Sequence, residues 1–242
     1  MLRRLAAMDD RRPRIAAIGD RDPALLTHRE VDAAIALLQP SAECSWLATT
    51  DGRAARAEGF DGVWLLPGSP YRDDEAAYAV TAWCLRTRTP FLGTCAGFQY
   101  ACVVLARELA AVAGAAHAEG DPGATDPVVQ RLACSLYGET RTVRPVPGTR
   151  LAAICGEQPF DGFHWCGYGL APAHARRLER AGVLISADAP DAGSEAIELP
   201  GHPFFLATAF QPQVGSSRAQ APHPLLAALV RAAAAHSRRA PT

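Results

Sequence analysis

The segment Pro90-Phe91-Leu92-Gly93-Thr94-Cys95-Ala96-Gly97-Phe98-Gln99 constrains this chain more than any other stretch. An apolar run ends in Gly-x-Cys-x-Gly, and an alanine-rich helical pattern begins at once. That is the strand–turn–helix context of a nucleophile elbow, with cysteine at the reactive position. The two glycines let the chain turn sharply where a Cβ would clash. Cys95 is therefore expected at a helix N-terminus, where unpaired N–H groups and the helix dipole favour a thiolate.

The elements around this block alternate. Residues 14–19, 43–48, 61–66 and 90–93 are short, continuously apolar strands. Helical patterns follow over about 28–38, 73–87 and from residue 96 onward. Asp73, Asp74 and Glu75 suit the start of the second helix. Such alternation predicts a doubly wound α/β fold, its mainly parallel central sheet covered by helices on both faces. Ligands in such sheets bind at the carboxyl ends of the strands, where both Cys95 and the turn Pro67-Gly68-Ser69-Pro70 fall. Residues 114–130 form a polar loop holding His117, Glu119 and Asp121. Residues 131–170 read as a small antiparallel extension, and strands near 182–187, 194–199 and 204–210 precede a last helix over 223–236. The expected organisation is a flexible tail (1–12), a single domain (13–236) and a short C-terminal tail (237–242).

Composition narrows the chemistry. All 24 basic residues of the 242 are arginine, which excludes a lysine Schiff base, a lysine nucleophile and a Walker-type phosphate loop. The net charge of −1 gives no reason to expect nucleic-acid binding. The seven cysteines are odd in number and contain no Cys-x-x-Cys pair, so disulfides and a zinc site are not expected and a reducing, cytoplasmic setting fits. No secretory signal is visible at the start. The longest apolar run, around 101–116, is broken by Arg107 and Glu108, so no membrane span is expected.

Three blocks together resemble the class I glutamine amidotransferase family, and within it the glutaminase domain of CTP synthase and stand-alone proteins related to it. They are Phe60-Asp61-Gly62-Val63-Trp64-Leu65-Leu66-Pro67-Gly68, the Pro90–Gln99 block, and Gly201-His202-Pro203-Phe204-Phe205 leading into Phe210-Gln211-Pro212-Gln213. The resemblance implies that Cys95 is the nucleophile. It implies an oxyanion hole from the backbone of Ala96 and of the Gly68–Ser69 turn, whose donors suit an acyl-transfer intermediate. It places Gln99 in the substrate pocket and Glu119 where the family contacts the glutamine amino group. Where the family has His-Pro-Glu, this chain has Gln211-Pro212-Gln213, and glutamine cannot shuttle a proton near neutrality. Gly167, in Gly167-Tyr168-Gly169, stands where the family has an arginine that clamps the glutamine carboxylate.

His117 with Glu119 is the expected substitute for the missing pair, because histidine titrates near neutrality. His164 and Tyr168 are further expected to face the pocket, along with Gln211 and Gln213. Asp121 and Asp126 lack the spacing of a dedicated metal site, and no metal or cofactor is expected. The leading expectation is a cysteine-dependent hydrolase or transferase acting on an amide- or nitrile-type carbon. The alternatives are a glutaminase supplying ammonia to a partner synthase, and a catalytically inactive binding or regulatory protein. The expected partners are a small-molecule substrate and either such a synthase or a second copy of the chain.

Overall fold

The central strands, Arg14–Ile18, Gly62–Leu65, Phe91–Thr94 and Phe205–Thr208, alternate their side chains between two buried apolar layers. In the computed structural model, which describes residues 11–190 and 192–238, a nine-stranded sheet runs in the order β2-β1-β3-β4-β11-β10-β9-β6-β7. The chain order is β1 (Arg14–Ile18), α1 (Leu26–Leu38), β2 (Glu43–Leu47), β3 (Gly62–Leu65), α2 (Asp74–Thr87), β4 (Phe91–Thr94) and α3 (Ala96–Glu108). There follow β5 (Val129–Arg131), β6 (Glu139–Pro145), α4 (Arg150–Cys155), β7 (Phe160–His164), β8 (Tyr168–Leu170) and α5 (Pro172–Arg180). The chain ends with β9 (Leu184–Ala189), β10 (Gly193–Glu198), β11 (Phe205–Thr208) and α6 (Pro224–Ser237).

Ala16, Ile18, Val63, Leu65, Phe91 and Phe205 point into one layer, against α2, α3 and α5. Ile15, Ala17, Trp64, Leu92 and Leu206 point into the other, against α1, α4 and α6. This two-sided burial is why the central strands read as unbroken apolar runs. The five strands β2, β1, β3, β4 and β11 are mutually parallel, as expected. The antiparallel extension is larger than the sequence suggests. It includes β9 and β10 as well as β6 and β7, while β5 and β8 pair separately. Within residues 131–170 the chain also makes the short helix α4, whose first turn is capped by Thr149 accepting from Ala152 N–H.

Most of the expected tails lie outside the described residues. Arg11 and Arg12, the last residues of the expected N-terminal tail, are tied down: Arg11 pairs with Asp61 at 2.9 Å and Arg12 donates to the Gln39 carbonyl at 2.6 Å. Among the described residues no helix is long and apolar enough to cross a membrane.

Two glycines set the height of α3 over the sheet. A Cβ on Gly97 would lie 2.3 Å from the Leu65 carbonyl oxygen, and one on Gly93 would lie 2.5 Å from the Gly97 carbonyl oxygen. Both neighbours are backbone and cannot swing aside. The close approach, rather than a special backbone angle, is what these positions require. Gly97→Ala is expected to push α3 off β3 and to lower unfolding free energy by about 2 kcal/mol or more, the cost of overpacking a rigid core. Urea unfolding measures this, and a change within a few tenths of a kcal/mol would contradict it.

Candidate active site

The register of the parallel strands gathers three loops at one edge. Leu65 lies opposite Gly93, and Thr208 opposite Thr94. The segments that leave β3, β4 and β11 therefore emerge side by side: the 67–70 turn, Cys95 and Gln211. Cys95 N–H donates to the Thr208 carbonyl at 2.8 Å, and Trp64 Nε1–H donates to Thr94 Oγ1 at 3.0 Å. Cys95 has φ 53° and ψ −106°. For a residue with a Cβ this backbone costs about 1–3 kcal/mol, and the surrounding strands hold it there.

A cavity of about 140 Å³ opens over Cys95. Pro67, Gly68, Ser69, Tyr137, Trp165, Cys166, Gly167, Tyr168 and Gln211 line it, with Leu25, Thr27 and His28 at the α1 side. None of these carries a carboxylate or a guanidinium. Ala96 N–H, the first free donor of α3, points at the Cys95 sulfur. His28 supports the turn: its Nδ1 accepts from Asp22 N–H at 2.9 Å, which leaves Nε2–H to donate to the Pro67 carbonyl at 3.1 Å.

The sequence reading missed Cys166. It lines the cavity beside Cys95, and the two thiols are close enough to hydrogen-bond. That hydrogen bond, with burial next in importance, pushes the Cys95 pKa up. The same bond pulls Cys166 down against the cost of its burial, helped by the charge of His164. Of the two thiols Cys166 is the one whose pKa is lowered and Cys95 the one whose pKa is raised, whereas the sequence placed the favoured thiolate on Cys95 at the helix N-terminus.

His164 lies beneath this pair and not in the cavity. It is fully buried, with Nε2 at 2.8 and 3.0 Å from the two Glu195 carboxylate oxygens and Nδ1 at 3.0 Å from the Gly162 carbonyl. All its partners are acceptors, so both ring nitrogens carry protons. Burial opposes the charge, but the hydrogen bond and the charge of Glu195 outweigh it and raise the His164 pKa.

His117 does not line the Cys95 cavity either. Its Nδ1 accepts from Glu119 N–H at 3.1 Å, and Nε2–H donates to Gln99 Oε1 at 2.9 Å. Gln99 Nε2 in turn donates to the Tyr168 carbonyl at 2.9 Å. This chain of bonds uses both ring nitrogens and fixes the Tyr168 wall. Burial depresses the His117 pKa to about 4. The expected base is therefore a neutral, fully engaged side chain, and Gln99 is a buried strut rather than a pocket wall. The Glu119 carboxylate does not touch His117; the backbone does. Its charge raises the Cys95 pKa, and its Oε2 has no protein partner.

Gln211 lines the cavity as expected, and its Oε1 accepts from Gln213 Nε2 at 2.7 Å. Gln213 is wholly buried and faces Gln211, not the cavity. Gln211 Nε2 has no protein partner. Asp126 is engaged by Arg177 and His174 at 3.0 and 3.1 Å. Among the described residues no cluster of three metal-ligating side chains occurs.

Residues 29–219 match the model of the glutamine amidotransferase class-I family. The chain belongs to the class I glutamine amidotransferase family. It is 32% identical over 209 residues to a CTP synthase of a Synechococcus species, covering 82% of this chain and 38% of that protein. It is 34% identical over 191 residues to the CTP synthase of Pyrobaculum calidifontis, covering 75% of this chain and 36% of that one. It thus spans little more than a third of the length of these relatives. Among solved structures it resembles the Trypanosoma brucei CTP synthase glutaminase domain with bound acivicin, at TM-score 0.78 and 23% identity over 92% of this chain and 94% of that one. A Thermotoga maritima glutamine amidotransferase matches at TM-score 0.57 and 16% identity, over 94% and 96%. The structural likenesses establish the amidotransferase-type α/β fold, and the sequence relatives make this a class I domain similar to the CTP synthase glutaminase.

The buried state of His117 has a pH signature. Its pKa of about 4 lies below the ordinary 6.5. Between these values the unfolded chain binds the proton and the folded chain does not, so stability rises with pH there. The contribution is full above pH 6.5 and is lost as pH falls to about 4, by roughly 3 kcal/mol. Urea unfolding from pH 7 to pH 4 should show a smaller loss in His117→Gln than in the parent by about that amount. Equal losses would show that His117 is protonated in the folded state.

Proposed function

We propose that this amidotransferase-type domain is a cysteine-dependent hydrolase or transferase that forms an acyl adduct on Cys95 with a small, uncharged amide- or nitrile-type substrate. The observation that carries the reading is a strained elbow cysteine at the floor of a cavity with no charged clamp. Free glutamine carries an ammonium and a carboxylate, and stripping either of water without a partner is costly. Gly167 offers no such partner.

In this reading Cys166 takes the place of the family base. The Cys95 proton moves to Cys166 as the Cys95 sulfur bonds to the substrate carbon. The oxyanion develops against Ala96 N–H and the Gly68–Ser69 backbone, a preset field in a site largely closed to water. With an amide, Cys166 then returns the proton to the departing nitrogen and a thioester remains on Cys95; with a nitrile, the proton goes to the nitrogen that stays bound to carbon and a thioimidate remains. Water or a second nucleophile releases the acyl group. His117 acts through Gln99 and Tyr168 to hold the pocket wall, and Gln211 presents a free amide to the substrate.

A second reading, glutamine hydrolysis feeding a partner synthase, draws on the CTP synthase relatives and on the unpartnered Glu119 Oε2, which suits an ammonium. The cavity composition ranks it second.

Intact mass spectrometry with a panel of small activated esters and amides tests the leading reading. An acyl adduct should form on the parent chain and vanish in Cys95→Ala. Cys166→Ser should slow acylation about a hundredfold at neutral pH, the ordinary worth of a general base. An adduct that persists in Cys95→Ala overturns the reading. Gln211→His with Gln213→Glu restores the family residue types but should not confer glutamine hydrolysis. Adding Gly167→Arg should, since a Cβ there meets only the Tyr137 ring at 3.5 Å and the guanidinium then has room to clamp a carboxylate. Ammonia release measures this, and strong activity in the double variant would favour the second reading.

A further inference from the structure

Cys95 and Cys166 lie on different segments, yet their thiol groups meet over one cavity. Each is under a tenth exposed, and each lines the same space. The Cys95 Sγ also faces the carbonyl of Trp165, the residue before Cys166, at 3.8 Å. The remaining cysteines are placed otherwise. Cys102 follows two turns further along α3 and is wholly buried, Cys84 is buried in the same layer, and Cys134 is exposed. The Cys95–Cys166 pair is therefore set apart from the other thiols by both proximity and access to the cavity.

Two further features surround the pair. The first is the buried His164 imidazolium, two residues before Cys166 and neutralised from below by Glu195. A cation fixed beside one of two neighbouring thiols favours the thiolate form, the form that attacks a peroxide oxygen. The second is Gln211 Nε2, which is buried, belongs to a cavity-lining residue and finds no acceptor among the described residues. It offers N–H groups to an oxygen that gains charge next to the sulfurs. Glu119 adds negative charge on the Cys95 side, which raises the Cys95 pKa further.

We propose that Cys95 and Cys166 form a dithiol redox centre that reduces hydroperoxides and closes to an intramolecular disulfide. The Cys166 thiolate attacks the outer oxygen of the peroxide, the O–O bond breaks, and the departing oxygen takes a proton to leave as an alcohol or water. Cys166 becomes a sulfenic acid. The Cys95 sulfur then attacks that sulfur, its proton leaving with the hydroxyl as water, and the S–S bond forms. Two equivalents of a small thiol, or one dithiol, reduce the disulfide and are themselves oxidised to a disulfide. In the closed form Cys95 cannot form an acyl adduct, so the two chemistries exclude each other. The redox chemistry stands on its own observations and does not require the acyl substrate.

The test uses the full reduced chain and hydrogen peroxide. After one equivalent, free thiols are alkylated with iodoacetamide and the peptides are mapped. Cys95 and Cys166 should be joined, with the other cysteines alkylated, and dithiothreitol should restore both thiols. In Cys95→Ser a dimedone adduct should appear on Cys166. In Cys166→Ser peroxide consumption should slow roughly tenfold or more, because the remaining thiol lacks thiolate character. The mapping of the unaltered chain decides the matter even where a variant fails to fold. Alkylation of both Cys95 and Cys166 after peroxide, linkage confined to other cysteines, or a sulfenic acid found on Cys95 in place of Cys166 would each overturn the proposal.

Discussion

The backbone of α3 lies so close against that of β3 that no Cβ fits between them at Gly97. This close approach depends on Gly93 and Gly97 having no side chain. With α3 pressed to that depth, the residue linking it to β4 has almost no conformational choice, and Cys95 takes a backbone that an L-residue avoids. The strain is stored there because the parallel partners of β4 leave it no room to relax. Everything else at the site follows from that placement: the sulfur stands clear of the sheet edge, Ala96 N–H faces it, and the turns after β3 and β11 flank it.

A second constraint comes from the opposite direction. The segment from His164 to Tyr168 lies over the carboxyl edge and brings Cys166 down to Cys95. It is tied to the 132–138 stretch by Leu132 N–H to the Gly167 carbonyl at 2.9 Å, by Leu136 N–H to the Cys166 carbonyl at 3.0 Å, and by Gly138 N–H to the His164 carbonyl at 3.0 Å. It is tied to β10 by the His164–Glu195 pair. A buried pair of this kind contributes little net stability, yet removing one partner leaves a bare charge at a cost of about 3–5 kcal/mol. Its value is positional: it fixes a cation at a set depth below a thiol and holds the roof of the cavity to the sheet.

How legible this was in the sequence follows from the range of each interaction. The elbow, the four N-terminal strands and the start of α2 depend on neighbours within a few residues, and each carries a local signature. Asp73, for example, caps Ala76 N–H at 2.9 Å where the acidic run suggested a helix start. The antiparallel strands β9 and β10 read correctly as strands, but their union with β6 and β7 depends on pairing between distant segments that no local pattern encodes. The helix α4 hides in a stretch of turn residues. At the site the sequence identified Cys95, the 67–70 turn and Gln211. It gave His117 a catalytic role because histidine chemistry is legible by type, whereas burial and occupied ring nitrogens are properties of the fold. Cys166 was passed over because nothing within its own segment distinguishes a thiol that will meet another 71 residues away.

Gln211 and Gln213, at the positions where the family resemblance implies His and Glu, take on a different meaning beside the Cys166–His164–Glu195 group. Loss of a titratable pair from one side of the cysteine would leave an inert thiol if nothing took its place. Here a second titratable set stands on the other side: the buried His164–Glu195 pair and, two residues after His164, the cavity-lining Cys166. Gln211 keeps a hydrogen-bonding group on that wall, held by Gln213, and in the proposed mechanism proton transfer takes place across the cavity, at Cys166. The change makes the site less suited to a zwitterionic amino acid and better suited to chemistry that needs two sulfurs close together. The fold was free to make the exchange because the elbow, not the base, is what the two glycines and the parallel register hold fixed.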